Sequence, residues 1–355
     1  MKILYGIQGT GNGHITRARA LAPALQERGM DVDFLISGRG TTPLFDTEIF
    51  GDFRLMTGLT LVTINGQIHP LKTMRSLRLG ELWRDVRALD LSRYDLVITD
   101  FEPITAWAAR RAKKPCLGIA HQYAFRHAVP QVRSFGASLL YRWFAPADVE
   151  LGCHWHHFGQ PVIPPLAPVD RSLPAELDSR LILVYLPFED LDQVLAQLRP
   201  LDSHRFAVYH PDASRLTEGH IEIHPTSRSA FQLDLARCSG VIANGGFGLS
   251  SEALQLGKPL LMKPVAGQPE QISNGLALEQ LGLGQMTRHI TDEIIADWLP
   301  HRRAQPVHYP DMAQLLAEWI ADGNIQTSAD LIRKAWSETE GLPQTARHEA
   351  VLGSA

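Results

Sequence analysis

The run Asn244-Gly245-Gly246-Phe247-Gly248-Leu249-Ser250-Ser251-Glu252, followed by Gly257-Lys258-Pro259, Pro264 and Gln268-Pro269-Glu270-Gln271-Ile272-Ser273-Asn274, gathers residue types that suit an anion flanked by hydroxyl groups. Consecutive glycines let a backbone approach a diphosphate closely. The open N–H groups of a following helix, at the positive end of its dipole, favour a phosphate there without a metal. Glu252, inside that helix, offers a carboxylate to a ribose diol, while Glu270, Gln271 and Asn274 offer an acceptor and amides to sugar hydroxyls. A glycine turn alone is an ordinary strand-to-helix turn; the combined spacing is what points to a nucleotide sugar.

A second glycine turn lies near residue 10. Lys2 to Ile7 is a short apolar strand, Gln8-Gly9-Thr10-Gly11-Asn12-Gly13-His14 follows it, and Ile15 to Arg28 carries Ala and Leu at helical spacing. The dinucleotide fingerprint G-x-G-x-x-G fails, because His14 stands where its last glycine is required, and no P-loop lysine follows. Tyr94 to Thr99 reads as a buried strand ending at Asp100-Phe101-Glu102-Pro103, at the carboxyl edge of a parallel sheet where sites collect. Asp100 is then either a site carboxylate or the N-cap of a helix from Ile104 to Ala112. His121-Gln122 follow another strand end and can reach the same edge.

Residues 240 to 284 resemble the donor-binding segment of GT-B glycosyltransferases, especially the UDP-glycosyltransferases and the MurG-like lipid-linked N-acetylglucosaminyltransferases. The pattern in those families is roughly His-Gly-Gly, a Ser or Thr, a Glu, Gly-x-Pro, then Asp/Glu-Gln and Asn. Asn244 stands where many members have His, and Leu249 where many have Ser or Thr, with Ser250 adjacent. Backbone N–H groups would then carry more of the phosphate contact. The Gly-x-Gly-x-Gly-His order is similar to the acceptor loop of MurG-like enzymes and the Gly-His of UDP-glycosyltransferases. With Gln8 and Thr16-Arg17 it looks most like a little-described bacterial and archaeal branch.

The resemblance implies an α/β GT-B fold: two doubly wound Rossmann-like domains facing each other across a cleft. It implies donor contacts from Asn244, Gly245, Gly246, Phe247, Gly248, Ser250, Glu252, Glu270, Gln271 and Asn274, with Arg228 or Phe231 in place of the aromatic residue that stacks on a nucleobase. Acceptor contacts fall to Gln8, Gly11, Asn12, Gly13, Glu102, His121 and Gln122. His14 would be the general base, a role worth roughly 10²- to 10⁴-fold when an imidazole near neutral pKa is well placed. Either Asp100 or Glu102 would orient it. No metal and no cofactor is implied beyond a UDP-sugar as co-substrate.

These residues need elements to hold them. In the first half, strands near 2–7, 31–36, 95–99 and 116–120 alternate with helical stretches. The second half runs Leu181 to Leu186, Phe206 to Tyr209, His220 to Ile223, Val241 to Ala243 and Pro259 to Met262 as strands. Its helices are Leu191 to Leu198, Ser229 to Arg237 and Leu249 to Leu256. The expected organisation is an acceptor domain over 1–165, a donor domain over 166–310, helices packing back on the first domain over 311–340 and a tail over 341–355. The Pro-rich 161–174 serves as linker.

With 355 residues, 45% hydrophobic and 20% charged, the chain suits a two-domain globule. Cys116, Cys153 and Cys238 are scattered, which implies no disulfide framework. The first strand begins at Lys2, leaving no room for a signal peptide, and no apolar run is long enough to span a bilayer, so a cytoplasmic protein is expected. Residues 1–170 hold 19 Lys+Arg against 15 Asp+Glu, and the remainder 15 against 23. Within the basic half, Leu71 to Arg87 (Lys72, Arg75, Arg78, Trp83, Arg84) and Tyr123 to Phe144 (Arg126, Arg133, Phe135, Leu139, Leu140, Arg142, Trp143) mix cations with large apolar groups. Such stretches suit either an anionic membrane face or amphipathic helices turned to the core. Cys153-His154-Trp155-His156-His157 would alternate along a strand, which does not make a zinc site. The expected activity is an inverting, metal-independent transfer of a hexose from a UDP-sugar to a hydroxyl, with a membrane lipid such as diacylglycerol or a polyprenyl carrier as a candidate acceptor. A UDP-sugar 2-epimerase and a silent nucleotide-sugar binding protein are the alternatives, and no nucleic-acid partner is expected.

Overall fold

The computed structural model describes residues 1–38, 47–59, 63–64, 67–68, 78–133, 135–170, 173, 176–323 and 325–343. The first half begins with Lys2–Gln8 (β1), Asn12–Glu27 (α1), Asp31–Ser37 (β2) and Arg54–Met56 (β3), then a small antiparallel pair, Thr63–Ile64 (β4) and Gln67–Ile68 (β5). Leu79–Ala88 (α2), Leu96–Asp100 (β6), Pro103–Ala112 (α3), Cys116–Ala120 (β7), a 3-10 segment at His121–Arg126, Phe135–Trp143 (α4) and Val149–Gly152 (β8) complete it. Its main sheet has the order β3-β2-β1-β6-β7-β8, all parallel.

The second half contains Leu181–Tyr185 (β9), Leu191–Leu198 (α5), Arg205–Tyr209 (β10), Leu216–Glu218 (β11), Ile221–His224 (β12) and Arg228–Arg237 (α6). Gly240–Ala243 (β13), Phe247–Gln255 (α7), Leu260–Met262 (β14), Pro269–Leu281 (α8), Gln285–Met286 (β15) and Asp292–His301 (α9) follow. The order is β11-β12-β10-β9-β13-β14-β15, parallel except for β11 against β12. Setting aside the short hairpin strand β11, both sheets have the doubly wound order 3-2-1-4-5-6. The order reverses between β1 and β6 in one sheet and between β9 and β13 in the other. Open α/β sheets bind ligands in the crevice at the carboxyl ends of those strands.

The central strands earn their place by being apolar on both faces, as a sheet covered by helices on each side requires. Ile3, Leu4, Tyr5 and Ile7 of β1 and Val241 and Ile242 of β13 are all fully buried. A continuous core joins the two halves through Trp155 and Phe247. Met312–Ala321 (α10) and Ala329–Ser337 (α11) end the described chain. Leu316, Ala317 and Ile320 of α10 enter the same core as Leu21 and Leu25 of α1. Gln314 Nε2 donates to Glu27 Oε2 at 2.8 Å, and Trp336 Nε1 of α11 donates to the carbonyl of Val162 at 2.7 Å.

Two sequence expectations change here. The Pro-rich crossing is not a loose linker in its first part: Val162 and Ile163 are fully buried, and Ile163 N–H donates to Gly152 O at 2.8 Å. Its apolar residues outweigh its prolines. Residues 154–157 do not continue β8 as a strand; past Cys153 the chain turns, and the His154, His156 and His157 rings pack among Trp155, Phe158 and Trp336. Of the basic stretches, 71–77 lies outside the described residues, as does 344–355 of the tail. Tyr123, Phe125 and Tyr141 go into the core, whereas Leu79, Trp83, Leu139, Leu140 and Trp143 are exposed.

Candidate active site

The turn after β1 is shaped by Gly11, whose φ of 89° lies in the left-handed region and which caps α1 with no side-chain bond. Gln8 braces it, its Nε2 donating to Thr10 Oγ1 and to Leu59 O, both at 2.8 Å. His14 then sits in the first turn of α1, only 7% exposed, with Nδ1 2.6 Å from Asp100 Oδ1. Arg17, which entered the sequence pattern with no role in the site, lies one turn further on the same helix face. Its Nη2 donates to Asp100 Oδ1 at 2.6 Å and its Nε to Oδ2 at 2.9 Å. The i, i+3 spacing of His14 and Arg17, opposite one carboxylate, was the available signal.

Burial pushes the Asp100 carboxyl up, but Arg17 and His14 more than reverse this and hold it below the ordinary carboxylate range. His14 Nδ1 also lies 2.8 Å from Arg17 Nη2, which only donates, but its shorter 2.6 Å contact is with a carboxylate that only accepts, which favours the proton on Nδ1 and the lone pair on Nε2. Nε2 faces Gln122 Nε2 at 3.5 Å, and that amide donates to Glu270 Oε2 at 3.0 Å. Next to Asp100, Phe101 has φ 53°, a left-handed backbone that costs a bulky residue about 1–3 kcal/mol. Its ring is held by Tyr123 at 5.4 Å and Phe144 at 5.1 Å, which fixes the corner that aims Asp100 at His14.

Glu102 is not an orienter of His14. It is the N-cap of α3, fully buried, accepting from Ile104 N and Thr105 N at 2.8 and 2.6 Å and from the Ser37 and Thr105 hydroxyls at 2.6 Å each. Those donors occupy the oxygens an acceptor would need. The N-cap role that was the alternative for Asp100 is filled by Glu102, two residues on.

The second glycine turn leads into α7. Its N-cap, Gly246, makes no side-chain capping bond, and the first turn holds no acidic residue, so the leading N–H groups stay open to an anion. Helix α1 likewise starts from a glycine, Gly11, and has no acidic residue in its first turn. The two helix starts meet: a β-carbon on Gly248 would lie 3.7 Å from Gly13 Cα. Gly245 is pinned from behind by α8, with its N–H donating to Gln271 Oε1 at 3.0 Å and its carbonyl accepting from Asn274 Nδ2 at 2.8 Å.

Several expected ligand contacts are therefore internal struts. Gln271 Oε1 also accepts from Val265 N at 2.8 Å, and Asn274 Oδ1 lies 2.7 Å from His121 Nε2. His121 is fully buried, its Nδ1 2.7 Å from Cys153 O and its ring stacked on Phe247 at 3.8 Å. It ties the two halves together and is closed to an acceptor. Ser250 turns its hydroxyl back to Gly246 O at 2.8 Å. Glu252 accepts from Gln232 Nε2 at 2.8 Å; burial raises its carboxyl, against the pull of Gln232 and the exposed Arg228. Asn244 Nδ2 donates to Lys263 O at 2.9 Å and to Glu189 Oε1 at 3.1 Å. Gln8, Gln122 and Asn244 each keep a buried side-chain oxygen without a hydrogen-bond partner. Among the described residues no group of three or more His, Cys, Asp or Glu is placed to hold a metal ion. Nor is any described helix long and apolar enough to cross a membrane.

The family described as Glycosyl transferase family 1 matches residues 1–135 and 163–302. No curated protein matches the chain in sequence. Among solved structures, the glycosyltransferase SnogD from Streptomyces nogalater is similar over 94% of this chain and 99% of its own, at 17% identity and a TM-score of 0.54. LpCGTa in complex with UDP is similar over 95% and 97%, at 17% identity and 0.56. SsfS6 from Streptomyces sp. SF2575, complexed with thymidine diphosphate, is similar over 98% and 97%, at 16% identity and 0.56.

Proposed function

The chain belongs to Glycosyl transferase family 1, and from that premise we propose that it moves a hexose from a UDP-sugar to an acceptor hydroxyl with inversion and without a metal. One observation carries this reading: two helix starts, each opening on a glycine and one from each half, meet beside an imidazole whose Nδ1 lies against a buried carboxylate. The donor diphosphate would lie at the start of α7, the sugar between Glu270 and His14. His14 Nε2 takes the acceptor proton as the acceptor oxygen bonds to the anomeric carbon. The bond from that carbon to the diphosphate breaks, and UDP departs with the electron pair toward the open N–H groups of α7. Arg17 keeps Asp100 ionised and in place. UDP and thymidine diphosphate in two similar structures support a nucleoside-diphosphate donor.

For the acceptor, a lipid is favoured by the exposed surface of α2, α3 and α4. Trp83, Trp107 and Trp143 form a row with ring centroids 5.3 and 6.4 Å apart, and the Arg110 guanidinium lies over both Trp107 and Trp143. Aromatic rings beside cations suit the interface of an anionic leaflet, which would make the protein a peripheral cytoplasmic one. The test is UDP release from a panel of UDP-sugars, with and without a membrane-lipid extract and with and without chelator. Release that needs lipid and ignores chelator supports the proposal. Turnover of donor alone to an isomer, or a strict need for a divalent ion, would contradict it.

A further inference from the structure

Beside the donor turn lies an ion pair that no part of this mechanism uses. Lys263 directly follows β14, and its Nζ lies 2.6 Å from Glu189 Oε1. Glu189 lies beyond β9, and β13 stands between β9 and β14 in the sheet, so the lysine reaches across the carboxyl end of β13. That end is Asn244, whose Nδ2 contacts both Glu189 Oε1 and the Lys263 carbonyl, and whose buried Oδ1 has no hydrogen-bond partner. The pair therefore roofs the crevice where the strand order reverses, one residue before the glycine turn. Its side chains are 13% and 17% exposed, so the two charges are largely removed from water.

We infer that Lys263 is a diphosphate-binding residue held in reserve by Glu189, and that the donor's phosphate displaces the Glu189 carboxylate from it. The inference rests on the proposed donor reading. A carboxylate and a phosphate are interchangeable partners for an ammonium, and the phosphate brings more negative charge. Glu189 keeps the lysine in place and satisfied while the site is empty. Lys263 would supply the side-chain charge at a turn that otherwise offers only backbone N–H groups and the neutral Asn244.

The experiment is titration calorimetry of the full chain with UDP, which has no sugar, for the wild type, Lys263→Met, Glu189→Gln and the Glu189→Gln/Lys263→Met double variant. Lys263→Met should weaken UDP about 10- to 100-fold, as loss of a charged hydrogen bond does. Glu189→Gln, which frees the lysine, should tighten UDP or leave it unchanged. The double variant, which strands no charge, should fold and should match the weak affinity of Lys263→Met. Wild-type binding that Lys263→Met leaves unchanged would overturn this inference alone, including the case in which the lysine serves only an acidic sugar. Glu189→Gln weakening UDP as much as Lys263→Met would also overturn it. A wild type that binds no UDP would overturn the donor reading with it.

Discussion

Adding one methyl group to Gly245 and, separately, to Gly246 distinguishes what holds the donor turn from what the turn holds. A β-carbon on Gly245 would lie 2.7 Å from Gln271 O and 2.8 Å from Gln271 Cβ, closer than real contacts allow. The obstacle is α8 backbone, so the turn must move and strain its bonds to Gln271 and Asn274. Overpacking costs about 1–3 kcal/mol and losing one of these two bonds about 1 kcal/mol more, so Gly245→Ala should destabilise by about 2–4 kcal/mol. On Gly246 a β-carbon meets nothing within 4 Å, and its φ of −74° suits alanine. A smaller unfolded-state entropy offsets the loss of a preferred N-cap residue, leaving stability within about 1 kcal/mol of wild type. That methyl would occupy the open space before α7, so UDP affinity should fall about tenfold, about 1.4 kcal/mol. Urea denaturation and UDP titration on both variants decide the matter. A wild-type midpoint for Gly245→Ala would refute the idea that α8 pins the turn. Wild-type UDP binding by Gly246→Ala would refute the placement of the diphosphate.

Three further outcomes follow from the same geometry. Asp100→Asn should cost about 3–5 kcal/mol at pH 7, because Arg17 is left buried beside a neutral group. Since the folded Asp100 carboxyl is held below its unfolded value, that stabilisation is present above about pH 4 and is lost as pH falls through the folded value. The gap between wild type and Asp100→Asn in urea should therefore narrow in acid; a gap independent of pH would refute it. Gln122→Ala removes the amide between His14 and Glu270 and should lower kcat about tenfold with UDP affinity unchanged, measured by steady-state kinetics and titration. Trp83→Ser/Trp143→Ser should weaken sedimentation with anionic vesicles about tenfold and leave binding to neutral vesicles as weak as before. Equal binding of wild type and variant to anionic vesicles would turn that face back to solvent.

How much of this was legible in the sequence depended on the range of each interaction. Central strands announced themselves because burial on both faces leaves a short apolar run, Ile3 to Ile7 within Lys2–Gln8 and Leu96 to Ile98 within Leu96–Asp100. Leu191–Leu198 was readable as a helix to its ends, since Asp190 caps it locally. By contrast α8 was hidden: its Gln, Ser, Asn and Gly are poor helix signals, and only Pro269 at its start and Gly282 at its end mark it. The proximity of His14 to Asp100 followed from two strand ends in one sheet. Whether Gln271, Asn274 and His121 were ligands or struts could not follow, because their partners lie as far away as 153 residues in the chain. The Glu189–Lys263 pair stayed invisible for the same reason.

The proposed transfer turns on His14 as the group that receives the acceptor proton. Turnover and UDP affinity should be measured together on wild type and His14→Ala. The expected result is a kcat about 10²- to 10⁴-fold lower with UDP affinity unchanged, because in the proposed mechanism Nε2 meets the acceptor and not the diphosphate. Near-normal turnover in His14→Ala would contradict it.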